Sequence, residues 1–165
     1  MEAIEQRPDL ERLFKESAED LARYFSRRHD SGEKAQDLVQ ETFLKMARRL
    51  ETGNAPVHLR AYLFGIARHV SHAAWKRTIY ERKVRIDYPD DLTAAAEPDE
   101  RVRAATEVIE GLPELQREIL DLRFSQGFSY AEMAEALEIP IGTVRSRLHN
   151  AIALVRDHLR ENNPE

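Results

Sequence analysis

Residues 129–152, SYAEMAEALEIPIGTVRSRLHNAI, decide how this chain is read. Ser129 is followed three residues on by Glu132, the spacing at which side chain and backbone close a helix N-terminus reciprocally. Met133 and Leu137 then recur at helical spacing up to a short break, and Pro140 sits just before a second helix, where its missing N–H costs little. Two helices joined this tightly must approach closely. Ala134 supplies the small residue between them, while Met133, Leu137, Ile139, Val144 and Leu148 bracket the turn. Thr143, Arg145, Ser146, His149 and Asn150 are left to project outward, with Arg147 at the edge of that face. This is the pattern of a helix-turn-helix whose second helix enters a DNA major groove. Glu138 departs from it, because the turn favours glycine there and a positive φ at a residue with a side chain costs about 1 kcal/mol.

Working outward, the chain reads as all-α. A first helix is expected from a cap at Asp9 to about His29, with Leu10, Leu13, Phe14, Leu21 and Phe25 on one stripe. HDSGE breaks it, and a second helix from about Lys34 to Leu50 turns Leu38, Val39, Thr42, Phe43 and Met46 inward. After Pro56 a long pattern follows, one bent helix or two, with Leu59, Tyr62, Leu63, Ile66, Ala67, Val70 and Trp75 apolar. Four more helices are expected near 101–110, 113–126, 129–137 and 141–160. The organisation is therefore two small helical domains, 1–85 and 101–165, joined by a flexible acidic linker over 86–100 that contains Pro89 and Pro98.

The net charge of -5 conceals a reversal. Residues 60–85 hold seven bases against one acid, and residues 86–100 hold six acids and no base. A basic working face is thus followed by an acidic tether, which reconciles an acidic chain with a DNA-binding element. The absence of cysteine excludes disulfides and thiolate metal sites. His69 and His72 share a helix face but lack a third ligand, so neither a metal nor another cofactor is expected. No signal peptide and no membrane-spanning run is visible, so a cytoplasmic protein without membrane insertion is expected.

Three stretches carry a resemblance: DLVQETFLKMARRL at 37–50, LRAYLFGIARH at 59–69, and LPELQREILDLRFSQGFSYAEMAEALEIPIGTVRSRL at 112–148. Together, and in this order, they closely resemble the extracytoplasmic-function class of bacterial sigma factors. The resemblance implies a non-enzymatic subunit that binds core RNA polymerase and promoter DNA, and that answers to an anti-sigma factor or another regulatory protein such as a kinase. By position it implies polymerase docking through Asp37, Gln40, Glu41 and Phe43. Recognition and melting of the -10 element would fall to Arg60, Arg68, His69, Trp75, Lys76, Arg77 and Arg82, with Tyr62 or Tyr80 as further stacking planes. Reading of the -35 element would fall to Thr143, Arg145, Ser146, Arg147 and His149.

Several positions depart from that family's pattern. KAQD at 34–37 stands where DAED is common, so two carboxylates are lost and one base is gained beside the docking surface. One expectation is a requirement for added negative charge near residues 34–37, for example by phosphorylation of Ser31, Thr42 or Thr52. His69 replaces a frequent asparagine, and Asn150 and Ile152 replace basic residues, which implies fewer phosphate contacts. The alternative is a stand-alone helix-turn-helix regulator, which has no need of the 37–85 segment. A small hydrolase or nuclease is disfavoured because no phosphate loop, HExxH spacing or nucleophile elbow is present.

Overall fold

The computed structural model describes residues 10–29, 32–84 and 100–161, and among these it contains seven α-helices and no strand. The expected cap at Asp9, the hydroxyl of Ser31 and all of the expected linker except Glu100 lie outside the described residues. The chain divides into two compact units, one built on the first three helices and the other on the helices from Glu100 onward.

In the first unit, α1 (Leu10–Ser26), α2 (Gly32–Glu51) and α3 (Leu59–Val84) pack against one another. On α1 the buried positions Leu13, Ser17, Leu21, Tyr24 and Phe25 recur every three or four residues, so one stripe faces the core. The opposite face carries the i,i+4 pairs Glu11–Lys15, Arg12–Glu16 and Glu19–Arg23. Phe14 does not join the core as its apolar character suggested. It is 47% exposed, with its ring centroid 4.8 Å from that of Phe43. The inward set expected on α2, Leu38, Val39, Thr42, Phe43 and Met46, is buried, and Ala35 joins it. Thr42 donates its hydroxyl to the Leu38 carbonyl at 2.7 Å, which satisfies a polar group the core would otherwise penalise.

The long pattern after Pro56 is one helix of 26 residues. Ala61, Leu63, Phe64, Ala67, Val70 and Ala74 are its buried apolar positions, and each large side chain so placed contributes about 1.5–3 kcal/mol. Ser71 is buried among them and hydrogen-bonds the Nε2 of buried His29 at 2.9 Å. Beyond Ala74 the helix leaves the core, and Lys76, Arg77, Ile79, Tyr80 and Glu81 are exposed.

In the second unit, α4 (Glu100–Gly111) and α5 (Glu114–Leu120) pack on α7 (Ile141–Glu161). The helix expected over 113–126 is interrupted. From Asp121 to Ser125 it widens into a single π-helical turn, in which the Gln126 N–H reaches back five residues to the Asp121 carbonyl at 3.0 Å. Gly127, at φ 68°, reverses the chain so that the Phe128 N–H meets the Leu122 carbonyl at 3.0 Å, and both side chains are buried. The capping box forms as its spacing requires: the Ser129 N–H donates to Glu132 at 2.7 Å, and the Glu132 N–H donates to the Ser129 hydroxyl at 3.2 Å. α6 (Tyr130–Leu137) then ends at Glu138, whose φ of 54° is the left-handed conformation expected of a residue in the glycine position. The Pro140 carbonyl accepts the N–H groups of Thr143 and Val144, which starts α7.

Candidate nucleic-acid interfaces

On α2, core packing fixes which residues remain available. With Leu38, Val39, Thr42 and Met46 turned inward, Asp37 and Gln40 are exposed and Glu41 is half-buried. The Glu41 carboxylate is shared: Oε1 lies 3.8 Å from Lys45 and Oε2 lies 3.6 Å from Arg77 of α3. Phe43 is not on this face. Its ring is only 7% exposed, so its contact with Phe14 orients the helix and leaves little surface for a partner. Of the hydroxyls proposed for modification, Thr42 is wholly buried, which removes it as an accessible site. Thr52 is exposed, donates to the Arg49 carbonyl at 2.7 Å and accepts from the Arg49 guanidinium at 3.3 Å.

The basic aromatic segment becomes one continuous stripe along α3. Arg68, His72, Trp75, Lys76, Ile79 and Tyr80 recur at three- and four-residue intervals and so share a face. Trp75, for which core and surface roles were equally open, is intermediate in place: 36% exposed, with its ring 5.6 Å from that of His29. Tyr80 is 71% exposed. A tryptophan backed by a buried ring, an open tyrosine and interleaved cations suit unstacked bases and their phosphates. His69 is exposed on a neighbouring face, and Arg82 lies in the helix but its side chain is outside the described residues. Arg60 belongs to a different setting. Its guanidinium donates to Asp20 at 3.0 Å and lies 5.2 Å from the Phe64 ring, so it ties α3 to α1.

On α7, Val144 and Leu148 are buried, and the same register presents Arg145, Ser146, His149 and Asn150 outward, with Thr143 half-buried. Ser146 donates to the Thr143 carbonyl at 3.2 Å. Arg147 is turned partly inward, with Nη1 removed from solvent and without a hydrogen-bond partner. Two residues of this face escaped the sequence reading. The Tyr130 ring lies 6.0 Å from the Arg145 guanidinium and 5.4 Å from that of Arg123, which also donates to the Phe128 carbonyl at 2.9 Å. Both placements depend on the π turn and the Gly127 reversal; the glycine marks the end of the helix in the sequence, but the π turn has no residue periodicity that would have signalled it.

Among the described residues no group of three or more His, Asp or Glu is placed to hold a metal ion, and no helix is long and apolar enough to cross a membrane.

Comparison with known proteins assigns the two units. Residues 13–78 match the family described as Sigma-70 region 2, and residues 103–155 match Sigma-70, region 4. The ECF RNA polymerase sigma factor SigC of Mycobacterium tuberculosis is 34% identical over 146 residues, covering 86% of this chain and 78% of that protein. SigL of Mycobacterium tuberculosis is 31% identical over 156 residues, covering 90% and 88%. The fold is shared with the sigma factor RpoE solved in complex with the anti-sigma factor NepR from Bartonella quintana, at a TM-score of 0.69 and 22% identity over 94% of this chain and 99% of that one. With both regions matched in order, and with relatives above 30% identity over most of their length, the chain belongs to the extracytoplasmic-function group of sigma-70 family sigma factors, which direct transcription initiation by RNA polymerase.

Proposed function

We propose that the division of labour follows the surfaces described above. Asp37, Gln40 and Glu41 of α2 dock on core polymerase, with Phe43 holding that helix in place from within. The α3 stripe from Arg68 to Tyr80, aided by His69, engages the opened -10 strand. Arg145, with Ser146, Thr143 and His149, reads the -35 element, and Arg147 acts from the edge of that helix. The observation that carries this reading is the pairing, in one chain, of an aromatic and cationic helix suited to single strands with a helix-turn-helix suited to duplex. Like the relatives it resembles, the protein works in the cytoplasm, beside the polymerase. It performs no bond chemistry of its own.

An anti-sigma protein is the regulator this reading favours, since similar folds are solved with one bound. A kinase has less support. Phosphate on exposed Thr52 would be partly offset by adjacent Arg49, which already donates to its hydroxyl.

Run-off transcription with purified core polymerase on a promoter library tests the proposal. Specific initiation dependent on the chain, abolished by Asp37→Ala plus Glu41→Ala and redirected or lost with Arg145→Ala, is the expected result. Duplex binding without any initiation would instead identify a stand-alone regulator.

A further inference from the structure

Lys34 is half-buried on the first turn of α2, the docking helix. Its ammonium reaches across to α3. It donates to the Thr78 hydroxyl of α3, 44 residues away in sequence, and that hydroxyl in turn donates a hydrogen bond to the Ala74 carbonyl at 3.0 Å. The two bonds form a directional chain, from ammonium to hydroxyl to carbonyl, in which the hydroxyl both accepts and donates.

The location of this chain matters. Among the described side chains Ala74 is the last buried one of α3, and from Lys76 onward they are exposed except for half-buried Thr78. The end of α3 that carries Lys76 and Tyr80 therefore has little core beneath it, and such helix ends open readily. Among the described residues α2 reaches it through Lys34 on Thr78 and through Glu41 on Arg77 at 3.6 Å. We propose that Lys34 is a positioning residue for strand opening, bracing the DNA-engaging end of α3 against the polymerase-docking helix through Thr78. A carboxylate at this position could not do the same, since it has no proton to give Thr78 while that hydroxyl donates to Ala74. This inference rests on the reading of α3 as the strand-engaging helix. It reverses the sign expected for restoring the acids.

The test uses the full chain with core polymerase on one promoter selected by the unaltered protein, supplied either as duplex or with its -10 region already mismatched open. Lys34→Ala and Thr78→Val are each expected to slow opening of the duplex about fivefold, as for a half-buried charge-assisted hydrogen bond, and the double variant is expected to be no slower than either. Thr78→Ser, which keeps the hydroxyl, is expected to open duplex at the unaltered rate. Core affinity should change less than about twofold in all of them, and initiation from the pre-opened template should be retained. A fully additive double variant, a Lys34→Ala protein equal to the original, or a gain in initiation from Lys34→Asp plus Gln36→Glu would each overturn the proposal. The last result would return the position to the docking surface as a missing acid. Unchanged opening and initiation after Trp75→Ala plus Tyr80→Ala would instead sink the underlying reading of α3, which keeps the two failures apart.

Discussion

Replacing Gly127 by alanine isolates one feature of the helix-turn-helix support. Gly127 is at φ 68°, and a Cβ added there meets no atom within 4 Å, so the substitution introduces backbone strain and no clash. The left-handed conformation costs an L-residue about 1–2 kcal/mol, and the reduced freedom of the unfolded alanine chain offsets about 0.4–1 kcal/mol of that. For a unit of this size, a net loss near 1 kcal/mol lowers the midpoint by roughly 4–8 °C. The protein provides its own internal control, because its single tryptophan, Trp75, lies on α3 in the first unit. Thermal unfolding followed by helical circular dichroism should show the shift, while tryptophan fluorescence should report an unmoved first unit. Asparagine at the same position, which tolerates positive φ better, should lose about half as much. An alanine variant with unchanged dichroism, or one that moves both signals equally, would refute the assignment of the strain to this turn.

Other expectations separate structural from DNA-contacting residues. Arg60→Ala and Asp20→Ala should cause the same small stability loss, about 0.5 kcal/mol for a partly exposed pair, with no promoter-specific defect; a defect confined to Arg60→Ala would restore it to the -10 surface. Arg145→Ala should weaken -35 binding by about 1–3 kcal/mol, measured by titration against duplex, whereas Tyr130→Leu, losing its distant cation–π contacts with Arg145 and Arg123, should cost about 0.5 kcal/mol. If Arg145 contacts a base, the salt slope of binding should stay unchanged, and a fall of about one would mark a phosphate contact instead. Thr42→Asp should prevent folding of the first unit by burying a carboxylate, while Thr42→Val should be nearly neutral in the same melts.

What could be read from the sequence was what is encoded locally. The Ser129 and Glu132 cap is an i,i+3 relation, and the left-handed Glu138 follows from the geometry of the turn. The inward set of α2 follows from a 3.6-residue period. Contacts that join distant residues left no such trace. Arg60 was a plausible DNA contact until Asp20, 40 residues earlier, was seen to hold it. Phe14 and Phe43 have the same residue type and lie in equally periodic stretches, yet one is half exposed and the other covered, because helix packing and not composition decides which ring is outermost.

The widened turn at Asp121–Ser125 has a consequence for insertions and deletions. A π turn accommodates one residue more than the α-helical turn it replaces, so removing a single residue there would leave an uninterrupted α-helix. Phe124, 67% exposed, is a side chain of this turn whose loss would disturb little packing. Shortening the chain by one residue elsewhere in α5 or α7 would rotate every following side chain by about 100° and turn Ile119 or Val144 out of the core. This turn is therefore where the region can absorb a change of length while keeping its helical register.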